Sequence, residues 1–162
     1  MSQGPSTSPH TRPDGTGRTI GIVAARWHAE IVDAMVQGAI TELLACGVEQ
    51  AAVSVYYCPG SYEIPVAAAT LARLGTVDAV LCFGVIVRGE TAHFEYVSGP
   101  VAQGLQNISI ETGIPCLFGV LTTDTVEQAQ DRAGGKHGNK GTEAAVGALE
   151  TCKTLDLMRA TR

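Results

Sequence analysis

The chain has 162 residues, 45% of them hydrophobic and 17% charged, with a net charge of −5. That fits one domain able to bury its own core, and the mild apolar excess suits a subunit that buries further surface against copies of itself. Without a run of about 18 apolar residues or a run of Lys and Arg, the sequence argues against a membrane span and a nucleic-acid or anionic-membrane role.

Residues 1–17, "MSQGPSTSPHTRPDGTG", hold Ser, Thr, Pro and Gly around no apolar core. They do not form a secretory signal and are expected to be a disordered or loosely attached arm, with residues 18–162 as the domain. Pro5, Pro9 and Pro13 fit poorly with a long added strand, because proline donates no hydrogen bond to a sheet.

Arg18–Ala25, "RTIGIVAA", is a predicted buried strand. Ala29–Cys46 follows as a helix, with Ile31, Met35, Ala39 and Leu43 in one i,i+4 row and Val32, Val36 and Ile40 in the next, closed by Gly47. Ala51–Tyr57 is the second predicted strand, "PGSYEIP" interrupts, and Val66–Leu74 is a short helix stopped by Gly75. Asp78–Val87 is the third strand. The helix after it runs to about Thr112 and should kink or restart near Ser98-Gly99-Pro100, where proline removes a donor and crowds the preceding turn. Pro115–Thr122 is the fourth strand, Asp124 with Glu127 suggests a capping pair for a helix to Ala133, and a last helix runs from near Gly141 to around Leu155.

Helices alternating with strands that are apolar throughout, not at every second residue, call for a parallel sheet covered on both faces. The expected fold is therefore a three-layer α/β/α sandwich, doubly wound and flavodoxin-like, with four parallel strands. Ligands in such folds sit beyond the carboxyl ends of the strands. The five cysteines make no C-x-x-C pair, so buried reduced thiols are expected and a metal site is not.

Chemistry-bearing residues do follow the four strand ends. Trp27, the only tryptophan, is followed by His28; it is either a core or interface aromatic or a flat stacking surface for a planar heterocycle. In "CPGSYEIP", Gly60 and Ser61 bring the backbone close, and Glu63 either settles a helix dipole or accepts hydrogen bonds from ligand hydroxyls. Gly89, Glu90 and Thr91 offer free backbone amides at a helix start, an arrangement that binds phosphate, and His93 follows within a turn as a candidate proton shuttle. After the fourth strand come Arg132 and "GGKHGNKGT". That string fails the P-loop pattern, since Asn139 replaces the glycine before Lys140 and Gly141 separates Lys140 from Thr142. A nucleotide triphosphatase is rejected on those grounds. The combined site suits a planar, polyol-bearing heterocycle reacting with a small phosphorylated partner.

The strings "PGSYEIP", "GVIVRGETAHFEYV", "FGVLTTDTVEQAQDRAG" and "GNKGTEAA" closely resemble the 6,7-dimethyl-8-ribityllumazine synthases of riboflavin synthesis, from about Ile20 to Glu150. The resemblance implies condensation of 5-amino-6-ribitylaminouracil with 3,4-dihydroxy-2-butanone 4-phosphate, releasing phosphate and water, with no cofactor and no metal. It places Trp27 on the pyrimidine ring, Tyr62 and Glu63 at the ribityl chain, and Ile86 and Val87 in the ring pocket, with His28 and Ser61 also among the substrate-binding residues. It gives Gly89, Glu90, Thr91 and Arg132 to the phosphate, His93 to proton transfer, and Lys140 to the pyrimidine carbonyls. Phe118 would reach the site from a neighbouring subunit. The partners it implies are small molecules and further copies of the chain, in a cytoplasmic homo-oligomer built from pentamers with sites at subunit interfaces. It leaves room for association with riboflavin synthase. Pentamer, paired pentamer and sixty-subunit capsid stay open, although the uninterrupted "GGKHGNKG" resembles capsid-forming members. Where many members carry Phe-Asn, this chain has Trp27-His28, and Tyr62 replaces a common phenylalanine. A non-catalytic flavin carrier or a shell-forming subunit on the same scaffold is the alternative.

Overall fold

The computed structural model describes residues 11–161. Four parallel strands form the main sheet: β1 (Ile20–Ala25), β2 (Val53–Cys58), β3 (Ala79–Val87) and β4 (Cys116–Thr123), in the order β2-β1-β3-β4. Every residue of β1 and all but the last of β3 are buried, as the unbroken apolar runs require of central strands covered on both faces. The helices α1 (Ala29–Ala45) and α5 (Lys140–Ala160) cover one face, packing on Ile20, Ile22, Ala24, Leu81 and Phe83. Covering the other, α2 (Ile64–Arg73) and α3 (His93–Thr112) pack on Val23, Ala25, Val80, Cys82 and Ile86. Successive strand residues serve opposite faces, so one sheet supports two cores.

Several local details depart from the sequence expectations. The helix α3 is continuous through Pro100, with no restart at Ser98-Gly99-Pro100. Val101 and Leu105, just beyond the proline, are almost wholly buried, and that packing holds the segment helical. The short helix α4 (Val126–Asp131) is capped by Thr125 and Gln128, not by Asp124 and Glu127. The Gln128 amide donates to Thr125 Oγ1 at 3.2 Å, and Gln128 Oε1 accepts from the Asp124 amide at 2.9 Å. One position of register separates this box from the expected pair, because Thr125 has the extended backbone that an N-cap needs.

The glycine-rich string is a small antiparallel hairpin of β5 (Ala133–Gly135) and β6 (Gly138–Asn139). Asn139 then starts α5: its Oδ1 accepts from the Gly141 amide at 2.8 Å, and its Nδ2 donates to the Ala34 carbonyl of α1 at 3.0 Å. A β-carbon on Gly141 would lie 1.8 Å from the Met35 carbonyl oxygen, so only glycine lets α5 start this close to α1. At its far end α5 continues past Leu155, where Asp156 pairs with Arg18, and the Arg159 guanidinium donates to the Gly113 carbonyl at 3.4 Å.

The arm expected over residues 1–17 is described only from residue 11, and residues 1–10 lie outside the described residues. Within the described part, the Gly15 amide donates to the Cys46 carbonyl at 2.7 Å and Arg12 pairs with Glu42 at 2.9 Å. Four of the five cysteines are buried, Cys116 is half-buried, and all are free thiols. Burial raises the Cys82 thiol pKa well above its ordinary value, so it behaves as a small hydrophobe. No helix among the described residues is long and apolar enough to cross a membrane.

Candidate active site

The carboxyl ends of β1, β2 and β3 and the first turns of α3 surround a cavity of about 480 Å³. Six of the residues singled out by sequence line it: Trp27, Ser61, Tyr62, Glu63, Ile86 and His93. Val85, Tyr96 and Val97 complete the lining. A second hollow of about 410 Å³ adjoins it through Tyr62 and Glu63 and opens towards Pro100 and Val101 of α3.

Local backbone chemistry places each group. The Trp27 amide donates to the Pro59 carbonyl at 3.2 Å, which ties the β1 exit to the β2 exit. The indole then lies across Gly60. A β-carbon there would come within 2.5 Å of the ring, so Gly60 provides the shelf on which Trp27 rests. Trp27 is 66% exposed and therefore is not a core aromatic. His28 lies outside the cavity lining. It has a left-handed backbone, φ 58°, and its carbonyl accepts two amides from the first turn of α1, those of Ile31 and Val32, at 3.0 Å. A turn this tight between strand and helix needs positive φ, which histidine and asparagine tolerate better than most residues.

Ser61, Tyr62 and Glu63 form one 3₁₀ turn ahead of α2. The Ser61 hydroxyl, buried, donates to the Val85 carbonyl at 3.4 Å and ties this turn to β3. One Glu63 carboxylate oxygen accepts the Gly60 amide at 3.0 Å, and the other accepts nothing from the described residues. The Tyr62 ring is exposed at the mouth.

The turn Gly89–Ala92 joins β3 to α3 and is exposed. Its internal support is slight: the His93 amide reaches Thr91 Oγ1 at 3.4 Å, and the Tyr96 amide reaches the Ala92 carbonyl at 3.4 Å. None of the amides of Gly89, Glu90, Thr91 and Ala92 donates to a group among the described residues. They sit at the amino end of a helix, where partial positive charge gathers.

The remaining candidates are elsewhere. Val87 packs against the α1–α5 core instead of the cavity. Phe118 lies on edge strand β4, partly exposed. Arg132 ends α4 and makes a two-pronged ion pair with Glu143 of α5, both contacts at 3.0 Å. Lys140 joins the same carboxylate at 3.4 Å. Burial alone would raise the Glu143 pKa, but the hydrogen bonds and charge of Arg132, then Lys140, outweigh it and hold the group below its ordinary value. Among the described residues there is no group of three or more His, Cys, Asp or Glu side chains able to hold a metal ion.

Sequence reading did not single out Tyr96 and Val97. The signal was available, because Tyr96 stands three residues after His93 on one helix and so shares its face.

The family model described as 6,7-dimethyl-8-ribityllumazine synthase matches residues 17–156. A protein of Aquifex aeolicus (strain VF5) with that name is 47% identical over 143 residues, covering 88% of this chain and 93% of its own length. A Porphyromonas gingivalis (strain ATCC 33277) protein of the same name is 47% identical over 138 residues, covering 85% and 86%.

Proposed function

From the fact that this chain belongs to the 6,7-dimethyl-8-ribityllumazine synthase family, we propose that the cavity between Trp27, Glu63 and His93 is its active site. The enzyme condenses 5-amino-6-ribitylaminouracil with 3,4-dihydroxy-2-butanone 4-phosphate. The ring amine attacks the ketone carbonyl and water leaves to give an imine. Phosphate is then eliminated to an enol, and after tautomerisation to a ketone the ribitylamino nitrogen closes the second ring with loss of another water.

Every step moves protons at neutral or weakly basic atoms, so the protein contributes position and proton transfer. Holding two substrates together lowers such a barrier by about 7–11 kcal/mol at most. On our reading Trp27 stacks on the pyrimidine, supported from below by Gly60. The Glu63 oxygen not held by Gly60 receives ribityl hydroxyls, with Tyr62 beside it and Ser61 fixing the turn. Ile86 gives the ring an apolar wall. His93, on the cavity wall, carries protons in imine formation and elimination. The amides of the Gly89–Thr91 turn, immediately before His93, receive the phosphate.

Arg132, Lys140 and Phe118 are off this cavity within one chain, and the reading gives them to the site of an adjoining copy. The exposed apolar residues on both sheet edges support that arrangement: Tyr56 on β2, and Phe118 on β4 with Ile110 of α3 nearby. A ring of copies related head to tail would join the two edges.

The single observation that carries the reading is that one cavity gathers an indole, a carboxylate and an imidazole beyond the ends of parallel strands. Mixing the protein with both substrates and following lumazine absorbance tests it. The wild type should turn over, and His93→Ala should lose on the order of 10²–10⁴-fold in rate while keeping residual activity. Undiminished turnover in His93→Ala would remove that residue from the mechanism.

A further inference from the structure

Arg88 is the first residue after β3, yet nothing above gives it a task. Its charge is already engaged: Nε donates to Asp124 just after β4 at 3.0 Å, Nη1 pairs with Glu95 in the first turn of α3, and the guanidinium lies 4.1 Å from the centre of the Phe94 ring. Its backbone amide donates to the Thr123 carbonyl at 2.8 Å, which extends the β3–β4 ladder by one residue. One side chain thus joins the exit of β3, the exit of β4 and the start of α3.

The Gly89–Ala92 turn begins directly after this residue and ends two positions before Phe94. Its own hydrogen bonds are long, and no side chain packs within 4 Å of the space beside Gly89. A planar fork bonded to two carboxylates and stacked on an aromatic ring is a stiffer tie than one exposed ion pair. We propose that Arg88 is a positioning residue: by pinning α3 to both strand ends it sets the spacing of the Gly89–Ala92 amides, and hence the grip on the phosphate of the four-carbon substrate. This inference rests on the phosphate role given to that turn above. Both partners of Arg88 are anions that would repel a phosphate, so Arg88 also neutralises them at the rim. The positive end of α3 then meets the phosphate without those two carboxylates opposing it.

The test uses the full chain and compares wild type with Arg88→Met and Arg88→Lys. The first keeps a stem against Phe94 but loses both donors. The second keeps the charge but loses the fork. Steady-state kinetics would give KM for each substrate, and calorimetry would give the affinity for inorganic phosphate as the probe. Arg88→Met should raise KM for the phosphorylated substrate about tenfold and weaken phosphate binding in parallel, with KM for the pyrimidine unchanged. Arg88→Lys should recover part of the loss. Should Arg88→Met fail to fold, Phe94→Leu removes the ring beneath the guanidinium, leaves every charge in place, and should give a smaller shift of the same kind.

Hydrogen exchange at the Tyr96 amide, which is bonded to the Ala92 carbonyl at the start of α3, should quicken in Arg88→Met while the β3 amides stay protected. An equal rise in both KM values, or unchanged phosphate affinity and Tyr96 exchange in a folded variant, overturns the proposal. Phosphate affinity and exchange are read without turnover, so failure of the enzyme reading and failure of this one are distinguishable.

Discussion

Trp27 and Gly60 show how much of a binding site depends on an absent atom. Gly60 has an extended backbone that any residue could adopt, so the need for glycine there is steric. Gly60→Ala would press a methyl group into the indole from 2.5 Å. The expected outcome is a tilted Trp27 and a pyrimidine KM raised about tenfold, roughly 1.4 kcal/mol of binding. With one tryptophan in the chain, its fluorescence should report the tilt directly. The sequence made Trp27 and Glu63 legible because aromatic and acid stand beyond predicted strands. It could not display the support between them, because a glycine in a string announces a turn as readily as a shelf. His28 was equally opaque: its positive φ is set by the turn from β1 into α1, which only three-dimensional closure imposes.

At the scale of elements, the strands and long helices were readable because burial on both faces of a sheet writes an unbroken apolar run. The short helices α2 and α4 were readable too, though not where each begins, and the smallest pieces were not. The α4 cap shifted by one residue, and the hairpin β5–β6 carries too few residues for any periodicity. Three of these pieces, α4, the hairpin and α5, meet at Glu143, whose carboxylate is held down by Arg132 and Lys140. A folded-state pKa below the unfolded value adds stability above the unfolded pKa, here an ordinary 4.5. That contribution fades as pH falls through the lower folded value. Acid unfolding of Glu143→Gln should therefore show a shallower slope than wild type below about pH 4.5, read from thermal midpoints across the acid range. An identical slope would mean that Glu143 has the same pKa folded and unfolded, and that the ion pairs add no stability above it.

For the whole molecule, a sheet with four parallel strands has two edges, β2 and β4, with no further strand on either among the described residues, and an exposed apolar edge invites a partner. If adjoining copies share each site, His93→Ala and Arg132→Ala should complement one another. Refolding the two impaired variants together in equal amounts should restore about a quarter of the sites in a head-to-tail ring. Assay before and after mixing reads this directly, and no recovery would place both residues in one chain's own site. Sequence reading expected pentamers and left the order of assembly above them open for a physical reason. The apolar excess records that extra surface is covered, whereas the angle between neighbours lives in contacts that a single strand of letters does not contain.

The ion pair of Arg18 with Asp156 fixes the last turns of α5 beside the amino ends of the strands, the pole opposite the chemistry. A peptide tag or fluorophore joined behind α5 would thus emerge remote from the substrates. The exposed last turn of α5 is a natural handle for immobilising or labelling this enzyme at a distance from the cavity.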